Sequence, residues 1–229
     1  MDKERIFSVA VDGPAGAGKS TVARGAAKRL GIVYVDTGAM YRAMGLKALR
    51  LGVPADSEER VLPILDDTEI TLRFIAGEQH IFLDGEDVTG LIRTQEVSNA
   101  ASKISAIPAV RRKMVAIQQK LAEGVSLTMD GRDICSYVLP GAEYKFFVTA
   151  SPDARTARRY KELSEKGTLG GMTFNDLLIE MHERDARDSG RDCMPLKKAP
   201  DAVLIDTTYM SIEESIDALL HYIDRASEA

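Results

Sequence analysis

A glycine-rich segment of eight residues, Gly13-Pro-Ala-Gly-Ala-Gly-Lys-Ser20, restricts the possible folds of this chain more than any other feature. It matches G-x-x-x-x-G-K-[ST] at every fixed position. The apolar run at residues 6–11 before it predicts a buried strand. The four-residue spacing of Val22, Ala26 and Leu30 after it predicts a helix. A strand, a phosphate-cradling loop and a helix in this order are typical of an α/β fold with a parallel sheet.

The patterns along the rest of the chain predict a five-stranded parallel sheet flanked by helices, with a small antiparallel sheet inserted into it. The other core strands are predicted at residues 32–35, 125–129, 144–149 and 202–205. Residues 69–75 and 80–83 alternate apolar and polar side chains, which predicts an antiparallel hairpin. Helices are predicted at about residues 19–30, 38–51, 93–106, 108–123, 152–166 and 174–189, and from Ser211 onward.

These elements predict one domain, residues 1–229, with two insertions. Its core comprises residues 1–36, 107–150 and 200–229. One insert spans about residues 37–106. A helical lid rich in arginine spans about residues 152–192, and glycines between its two helices suggest that it closes over phosphates.

The composition is that of a folded protein: of 229 residues, 45% are hydrophobic and 28% charged. The net charge of −5 disfavours a general nucleic-acid binder, which would more often be basic. No apolar run approaches the ~20 residues of a membrane span, and the N-terminus is interpreted as a first strand, not a signal peptide.

Cys135 and Cys193 have no disulfide or metal-ligand pattern, so we expect a reduced, cytoplasmic protein. No long exposed apolar stripe is predicted, so monomer is the expected state.

The glycine-rich segment predicts a site for ATP or GTP with Mg²⁺. Its backbone N–H groups would surround phosphate oxygens, and the N-terminus of the next helix adds positive charge. Lys19 can reach the β- and γ-phosphates, and Ser20 can offer its hydroxyl to Mg²⁺, partly through water. The expected ATP-binding residues are Gly13, Pro14, Ala15, Gly16, Ala17, Gly18, Lys19, Ser20, Thr21 and, on the lid, Arg158. The chain lacks the N-K-x-D motif of GTPases, which favours phosphoryl transfer between small molecules.

Three further segments could hold a second anion, although each also has a purely structural explanation. In residues 36–42, Arg42 follows a helix start that Asp36 or Thr37 could cap. Residues 130–133, Asp-Gly-Arg-Asp, follow the third core strand at the ligand-binding edge of the sheet, or form a surface turn with an internal ion pair. In residues 183–191, three arginines are spaced to share a helix face, which suits a polyphosphate or a solvated helical hairpin.

Together these segments resemble the bacterial cytidylate kinase family over nearly the whole chain. The matching segments are DGPAGAGKST (12–21), DTGAMYRA (36–43), GEDVTGLIRTQEVSNAAS (85–102), DGRD (130–133), ERDARDSGR (183–191) and ADAVLIDTT (201–208). The stretch IRTQEVSNAAS distinguishes this family from other small P-loop kinases. The resemblance implies transfer of the γ-phosphoryl group of ATP to CMP or dCMP, with Mg²⁺ as cofactor and no nucleic acid or membrane as partner.

The resemblance also implies that the insert at about residues 37–106 binds the nucleoside monophosphate, and it implies roles for single residues. Ser102, Arg111 and Asp133 match positions that recognise cytosine. Thr37, Tyr41, Arg42 and Arg132 match positions around the acceptor phosphate and sugar, while Arg184 and Asp188 match a pair that reaches the pentose and phosphate. Arg158, Arg187 and Arg191 match lid arginines. The residues expected to be catalytic are Lys19, Arg132, Arg184, Arg187 and Arg191.

Two other interpretations are weighed against a cytidylate kinase. A P-loop kinase with another acceptor is disfavoured by the family-specific segment at residues 85–102. A module that senses ATP without turnover is disfavoured by the complete set of Lys19, Ser20 and arginines. The sequence does not decide between CMP and dCMP, between ATP and GTP, or whether UMP is accepted.

Overall fold

The computed structural model describes residues 6–227 and divides them into two compact units. The first five and last two residues of the predicted domain therefore lie outside the described residues. The P-loop unit contains the described residues up to Tyr34 and from Gly124 onward, and the insert unit spans Val35–Glu123. The division of the domain into core, insert and lid stays a prediction.

Five parallel strands form the sheet in the order β2-β6-β1-β7-β8. Their bounds are β1 Ser8–Asp12, β2 Val33–Asp36, β6 Leu127–Gly131, β7 Tyr144–Thr149 and β8 Val203–Asp206. In the β1–β6 register Asp12 lies opposite Gly131, so both strands end side by side. The loops that follow β1 and β6 therefore leave the same edge of the sheet, which is where ligands bind in folds of this class.

The helices of the P-loop unit pack in two pairs. Helix α1 (Lys19–Leu30) packs against α8 (Ile212–Ser227), and α6 (Pro152–Glu165) packs against α7 (Phe174–Ser189). Helix α1 begins after Gly18 and ends at Gly31, and both glycines have positive φ. A Cβ on Gly25 would lie 2.3 Å from Ile216 Cδ1, so α1 and α8 can pack closely only because residue 25 has no side chain.

The insert unit combines a small antiparallel sheet with four helices. Its strands pair in the order β3-β4-β5, and its core is formed by apolar residues such as Met40, Met44 and Ile81. The strands are β3 Ile70–Ile75, β4 Glu78–Leu83 and β5 Glu86–Asp87; the helices are α2 Gly38–Arg50, α3 Glu58–Asp66, α4 Gln95–Ile104 and α5 Pro108–Leu121.

The predicted fold class is confirmed, and three short elements of the described residues were missed: β5, α3 and a π-helical turn. Helix α3 was not predicted because it has nine residues, contains Pro63 and buries only Val61 and Leu65. A π-helical turn at Ile134–Val138 was also missed, because its five residues are too few to show a periodic pattern. None of the helices in residues 6–227 is long and apolar enough to cross a bilayer.

Candidate functional site

The loop between β1 and α1 has a backbone that requires glycine. Gly13 has a φ of +151°, and a Cβ there would lie 1.9 Å from the carbonyl oxygen of Val148. Gly16 has a φ of +73°, and its Cβ would lie 2.8 Å from Met181 Cε. Side chains at these two positions would collide with the sheet and with α7, so the loop can keep this shape only with glycine.

Lys19 places a buried amine in the first turn of α1. Its side chain donates to the Pro14 carbonyl oxygen at 3.2 Å, and the residue is 6% exposed. Burial, with Arg132 nearby, lowers the pKa of Lys19 to about 7. An anion placed beside Lys19 would favour its charged form, so this position suits a phosphate group.

Ser20, Asp130 and Tyr34 form a hydrogen-bonded group at the ends of neighbouring elements. Ser20 Oγ donates to Asp130 Oδ2, and the Tyr34 hydroxyl donates to Asp130 Oδ1, both at 2.7 Å. A hydroxyl beside a carboxylate fits Mg²⁺, which usually binds through one or two protein oxygens and keeps several waters. Asp130 was not assigned a role from the sequence, although an acid ending the strand beside the P-loop strand was the signal that could have identified it.

An arginine cluster surrounds Asp188 on α7. Asp188 accepts from Arg132 Nε at 2.8 Å and also from Arg191. Burial by itself would raise the pKa of Asp188, but Arg132, Arg191 and Arg184 hold it below its ordinary value. Three arginines around one carboxylate leave excess positive charge, which suits a polyphosphate.

Arg184, Arg187 and Arg191 were predicted to share one helix face, and this prediction is wrong for Arg191. Helix α7 ends at Ser189, so Arg184 and Arg187 lie on it whereas Arg191 follows it. The Arg191 side chain folds back and is only 4% exposed because it pairs with Asp188.

Helix α6 contributes two arginines that contact the P-loop region. Arg155 donates to the Ala15 carbonyl oxygen at 3.0 Å and to Asp185 on α7 at 2.6 Å. Arg158 donates to Thr207 Oγ1 at 3.0 Å. The two Arg155 bonds join α6 to the phosphate loop and to α7, whereas Arg158 bonds to a residue that follows β8. The role of Arg155 was missed from the sequence because nothing distinguishes it there from other arginines of a charged helix.

In the insert unit, Asp36 is the centre of a second ionic group. Its carboxylate accepts from Arg42 Nη2 at 2.7 Å and from Arg93 Nη2 at 3.2 Å. It also accepts from the Ala39 N–H at 3.1 Å, so Asp36 caps α2, while Thr37 makes no side-chain capping bond. Arg93 was not assigned a role from the sequence, although it lies in the family-specific stretch at residues 85–102, because its contact with Asp36 depends on the fold.

The insert unit also buries Ser102 and Arg111. Arg111 is 1% exposed, donates to the Ser105 carbonyl oxygen at 3.1 Å and lies 5.5 Å from the centre of the Tyr41 ring. Ser102 Oγ is buried and has no hydrogen-bond partner among the described residues. A buried hydroxyl without a partner costs free energy unless a ligand supplies one, so its position fits a binding site.

The predicted site residues thus fall into two groups, one in each unit. The P-loop unit brings Lys19, Arg132, Arg184, Asp188 and Arg191 into one electrostatic group, and it also contains Asp133, which is 4% exposed. The insert unit contains Thr37, Tyr41, Arg42, Ser102 and Arg111. That the two groups form one acceptor site stays a prediction. The described residues contain no cluster of three or more His, Cys, Asp or Glu side chains that could hold a metal.

The family model described as cytidylate kinase matches residues 9–225, nearly all of the chain. The chain belongs to the cytidylate kinase family. It is 50% identical to a protein named cytidylate kinase from Solibacter usitatus over 221 residues, 96% of this chain and 94% of the relative. It is 48% identical to another from Caldicellulosiruptor saccharolyticus over 214 residues, 93% of this chain and 94% of the relative. The cytidylate kinase resemblance predicted from the sequence is therefore confirmed.

A solved structure supports the fold independently of the family. Shikimate kinase from Bacteroides thetaiotaomicron matches with a TM-score of 0.51 and 14% identity, covering 96% of this chain and 99% of that chain. At this identity the likeness shows the fold alone. The family match shows that the chain is a cytidylate kinase enzyme, and the architecture shows the P-loop sheet on which it is built.

Proposed function

We propose that the protein transfers the γ-phosphoryl group of ATP to CMP or dCMP, which yields ADP and CDP or dCDP. The observation that carries this proposal is the cytidylate kinase match over residues 9–225 on a chain whose phosphate loop is complete. The nucleotide acceptor follows from the family, and ATP as donor follows from the loop that contains Lys19.

The donor triphosphate would bind between the phosphate loop and the arginine cluster of the P-loop unit. Backbone N–H groups of residues 13–20 would donate to its phosphate oxygens, and Lys19 would offset their charge. The Arg132–Asp188–Arg191 group supports this placement because it retains positive charge in a buried environment. Ser20 and Asp130 would hold Mg²⁺, which when bound neutralises charge on the β- and γ-phosphates.

The acceptor would be recognised through its base. Cytosine presents an amino donor at N4 beside the acceptors N3 and O2. Asp133 would accept from N4, while Arg111 and Ser102 would donate to the ring. The unpartnered hydroxyl of Ser102 supports this role. Uracil has an acceptor in place of the N4 amine, so the Asp133 carboxylate would reject it.

The acceptor phosphate would be held mainly by arginines. Thr37, Tyr41, Arg42 and Arg132 are assigned to its phosphate and sugar, with Arg184 and Asp188 at the pentose and phosphate. In the insert unit, Arg42 and Arg93 donate to the Asp36 carboxylate. When the acceptor binds, they would donate to its phosphate instead.

The reaction then requires mainly alignment and charge neutralisation. An oxygen of the acceptor phosphate attacks the γ-phosphorus, the bond from that phosphorus to the β–γ bridging oxygen breaks, and ADP leaves. Lys19, Arg184, Arg187 and Arg191 would stabilise charge on the moving phosphoryl group, with Arg158 at the donor. We assign no general base, because the acceptor phosphate is already an anion.

The enzyme would act as a cytoplasmic monomer on these small molecules, with no nucleic acid or membrane as partner. Its core (residues 1–36, 107–150 and 200–229), its insert (about 37–106) and its lid (about 152–192) would form one catalytic domain. Contacts of Arg155 with both Ala15 and Asp185 support the proposal that the lid responds to the occupied phosphate loop.

A coupled assay of ADP release tests the proposed function. ATP and Mg²⁺ would be supplied with CMP, dCMP, UMP, AMP or dTMP in turn. Fast turnover with CMP and dCMP, and little with the other three, is expected. Turnover only with UMP or AMP would overturn the roles of Ser102, Arg111 and Asp133. ATP binding without turnover of any acceptor would support an ATP sensor instead.

A further inference from the structure

A buried carboxylate, Asp12, links the phosphate loop to the turn that follows β6. Asp12 is the last residue of β1, directly before Gly13, and it is 0% exposed. One of its oxygens accepts from the Ile134 N–H and the other from the Cys135 N–H, each at 2.8 Å. The bonds connect residues more than 120 positions apart in sequence.

The two N–H groups belong to the start of the π-helical turn Ile134–Val138. Asp133 precedes this turn as its N-terminal capping residue, but its own side chain makes no capping bond. Helix starts leave N–H groups without intrahelical partners, and buried ones must find an acceptor elsewhere. Asp12 supplies that acceptor from β1, so the turn begins at a position fixed by the strand of the phosphate loop.

We propose that Asp12 is a positioning residue that sets Arg132 and Asp133, through the backbone of the following turn, relative to the phosphate loop. Neither of these two residues need contact Asp12 for this to hold, because their backbone is confined between two fixed points. On one side Gly131 pairs with Asp12 in the sheet register, and on the other Ile134 and Cys135 bond to its carboxylate. The inference rests on the proposed acceptor-binding roles of Arg132 and Asp133.

Stability alone does not account for a carboxylate here. Burial raises the pKa of Asp12 to about 6, although the N–H groups of Cys135 and Ile134 oppose this change; the nearby Asp133 raises it further. The ionised form is therefore held at a free-energy cost. An amide of the same shape would avoid that cost, but it can accept only one of the two N–H groups and would direct its own N–H at the other. The carboxylate is the side chain that accepts both.

Asp12→Asn tests the proposal with little change of shape. Binding of CMP and of a non-hydrolysable ATP analogue would be measured by calorimetry, alongside KM, kcat and the melting temperature. We expect the Kd and KM for CMP to rise about tenfold or more, as displaced supporting residues typically cause. The Kd for the ATP analogue should rise by a clearly smaller factor, because of the two displaced residues only Arg132 belongs to the arginine cluster at the donor.

Cys135→Ala is the matched control. It removes a side chain that is 1% exposed from the same turn but leaves both backbone N–H groups bonded to Asp12. We expect it to lower the melting temperature without raising the Kd for CMP. An equal rise in both variants, or an equal loss of CMP and ATP-analogue binding in Asp12→Asn, would overturn the positioning role. Asp12→Ser, which keeps one acceptor and introduces no N–H, replaces Asp12→Asn if that variant does not fold.

Asp133→Asn separates this inference from the proposed function. If CMP binding is unchanged in Asp133→Asn, the assigned acceptor role fails. The Asp12 hydrogen bonds are then tested by NMR, where at least one of the amide protons of Ile134 and Cys135 should lose its hydrogen-bonded shift in Asp12→Asn. If both amide protons keep their shifts, the Asp12 bonds do not exist and the inference is wrong.

Discussion

Ser20 Oγ donates to Asp130 Oδ2 at 2.7 Å, although the two residues are 110 positions apart in the chain. One begins the helix after the phosphate loop and the other lies near the end of the neighbouring strand β6. This hydrogen bond brings together a hydroxyl and a carboxylate where a P-loop kinase needs Mg²⁺. It supports the proposal that Asp130 is a second oxygen ligand of Mg²⁺ beside Ser20.

Replacing Asp130 by Asn should weaken the response to Mg²⁺. The amide keeps the shape but removes the negative charge, so the Mg²⁺ concentration for half-maximal activity should rise about tenfold or more. Activity would be titrated with Mg²⁺ at fixed ATP and CMP. Tyr34→Phe, which removes only the hydrogen bond to Asp130 Oδ1, should shift the response far less. An unchanged Mg²⁺ response in Asp130→Asn would remove Asp130 from the metal site.

Binding of ATP should take up a proton through Lys19. The pKa of Lys19 is lowered from 10.5 to about 7 by burial, so near pH 8 the free protein holds it mostly neutral. A bound triphosphate favours the charged form and raises this pKa, so uptake should approach about one proton at pH 8. Calorimetry in buffers of different ionisation enthalpy measures the uptake, and Lys19→Met should abolish it.

The lowered pKa of Lys19 also determines how the free energy of unfolding depends on pH. The unfolded state binds more protons than the folded state between pH 7 and 10.5, so Lys19 makes the free protein more stable as the pH rises through this window. The stability of Lys19→Met should lack this contribution. A contribution of opposite sign in the wild-type protein would mean that Lys19 stays charged when buried.

Ser102→Ala should separate binding from stability. Because Ser102 Oγ is buried without a partner among the described residues, removing it should leave the melting temperature unchanged or raise it slightly. The KM for CMP should rise about tenfold, since one hydrogen bond to the base is lost. Ser105→Ala is the control, because Ser105 Oγ already donates to the Ser102 carbonyl oxygen at 2.9 Å. A loss of stability in Ser102→Ala with unchanged KM would indicate a structural serine.

Arg191→Ala should lower kcat by about 100-fold or more, as expected for an arginine that stabilises transition-state charge. Its effect on CMP binding should be much smaller. Arg159→Ala removes another lid arginine, one that pairs with Glu162 on the same helix, and should change kcat little. If Arg191→Ala instead weakened CMP binding with kcat preserved, Arg191 would belong to the acceptor site.

The sheet and its helices were predictable because their signals are local. Buried parallel strands have continuous apolar runs, and the glycine loop between β1 and α1 has a fixed spacing. Helix α3 and the turn at Ile134–Val138 were not predicted, because elements this short depend on contacts with other parts of the fold. The Asp12 bonds show this directly, since the acceptor of the turn lies on a different strand.

Residues of the candidate site could be predicted where they belong to a sequence motif. They could not be predicted where their contacts form only when the chain folds. The phosphate loop, Arg132 and Asp188 could be named from spacing and resemblance. Asp130, Arg155 and Arg93 could not, because their roles depend on carboxylates and carbonyl groups that only folding brings near. The depressed pKa of Lys19 likewise follows from its burial and has no sequence signal.

Transfer of label from ATP tests the central claim most directly. The protein would be incubated with ATP labelled at the γ-phosphate, Mg²⁺ and CMP, and the products would be separated. The account predicts that the label appears in the β-phosphate of CDP, that dCMP gives labelled dCDP, and that AMP and UMP give little labelled product. Label that remains in ATP, or that appears only as free phosphate whichever nucleotide is added, would contradict it.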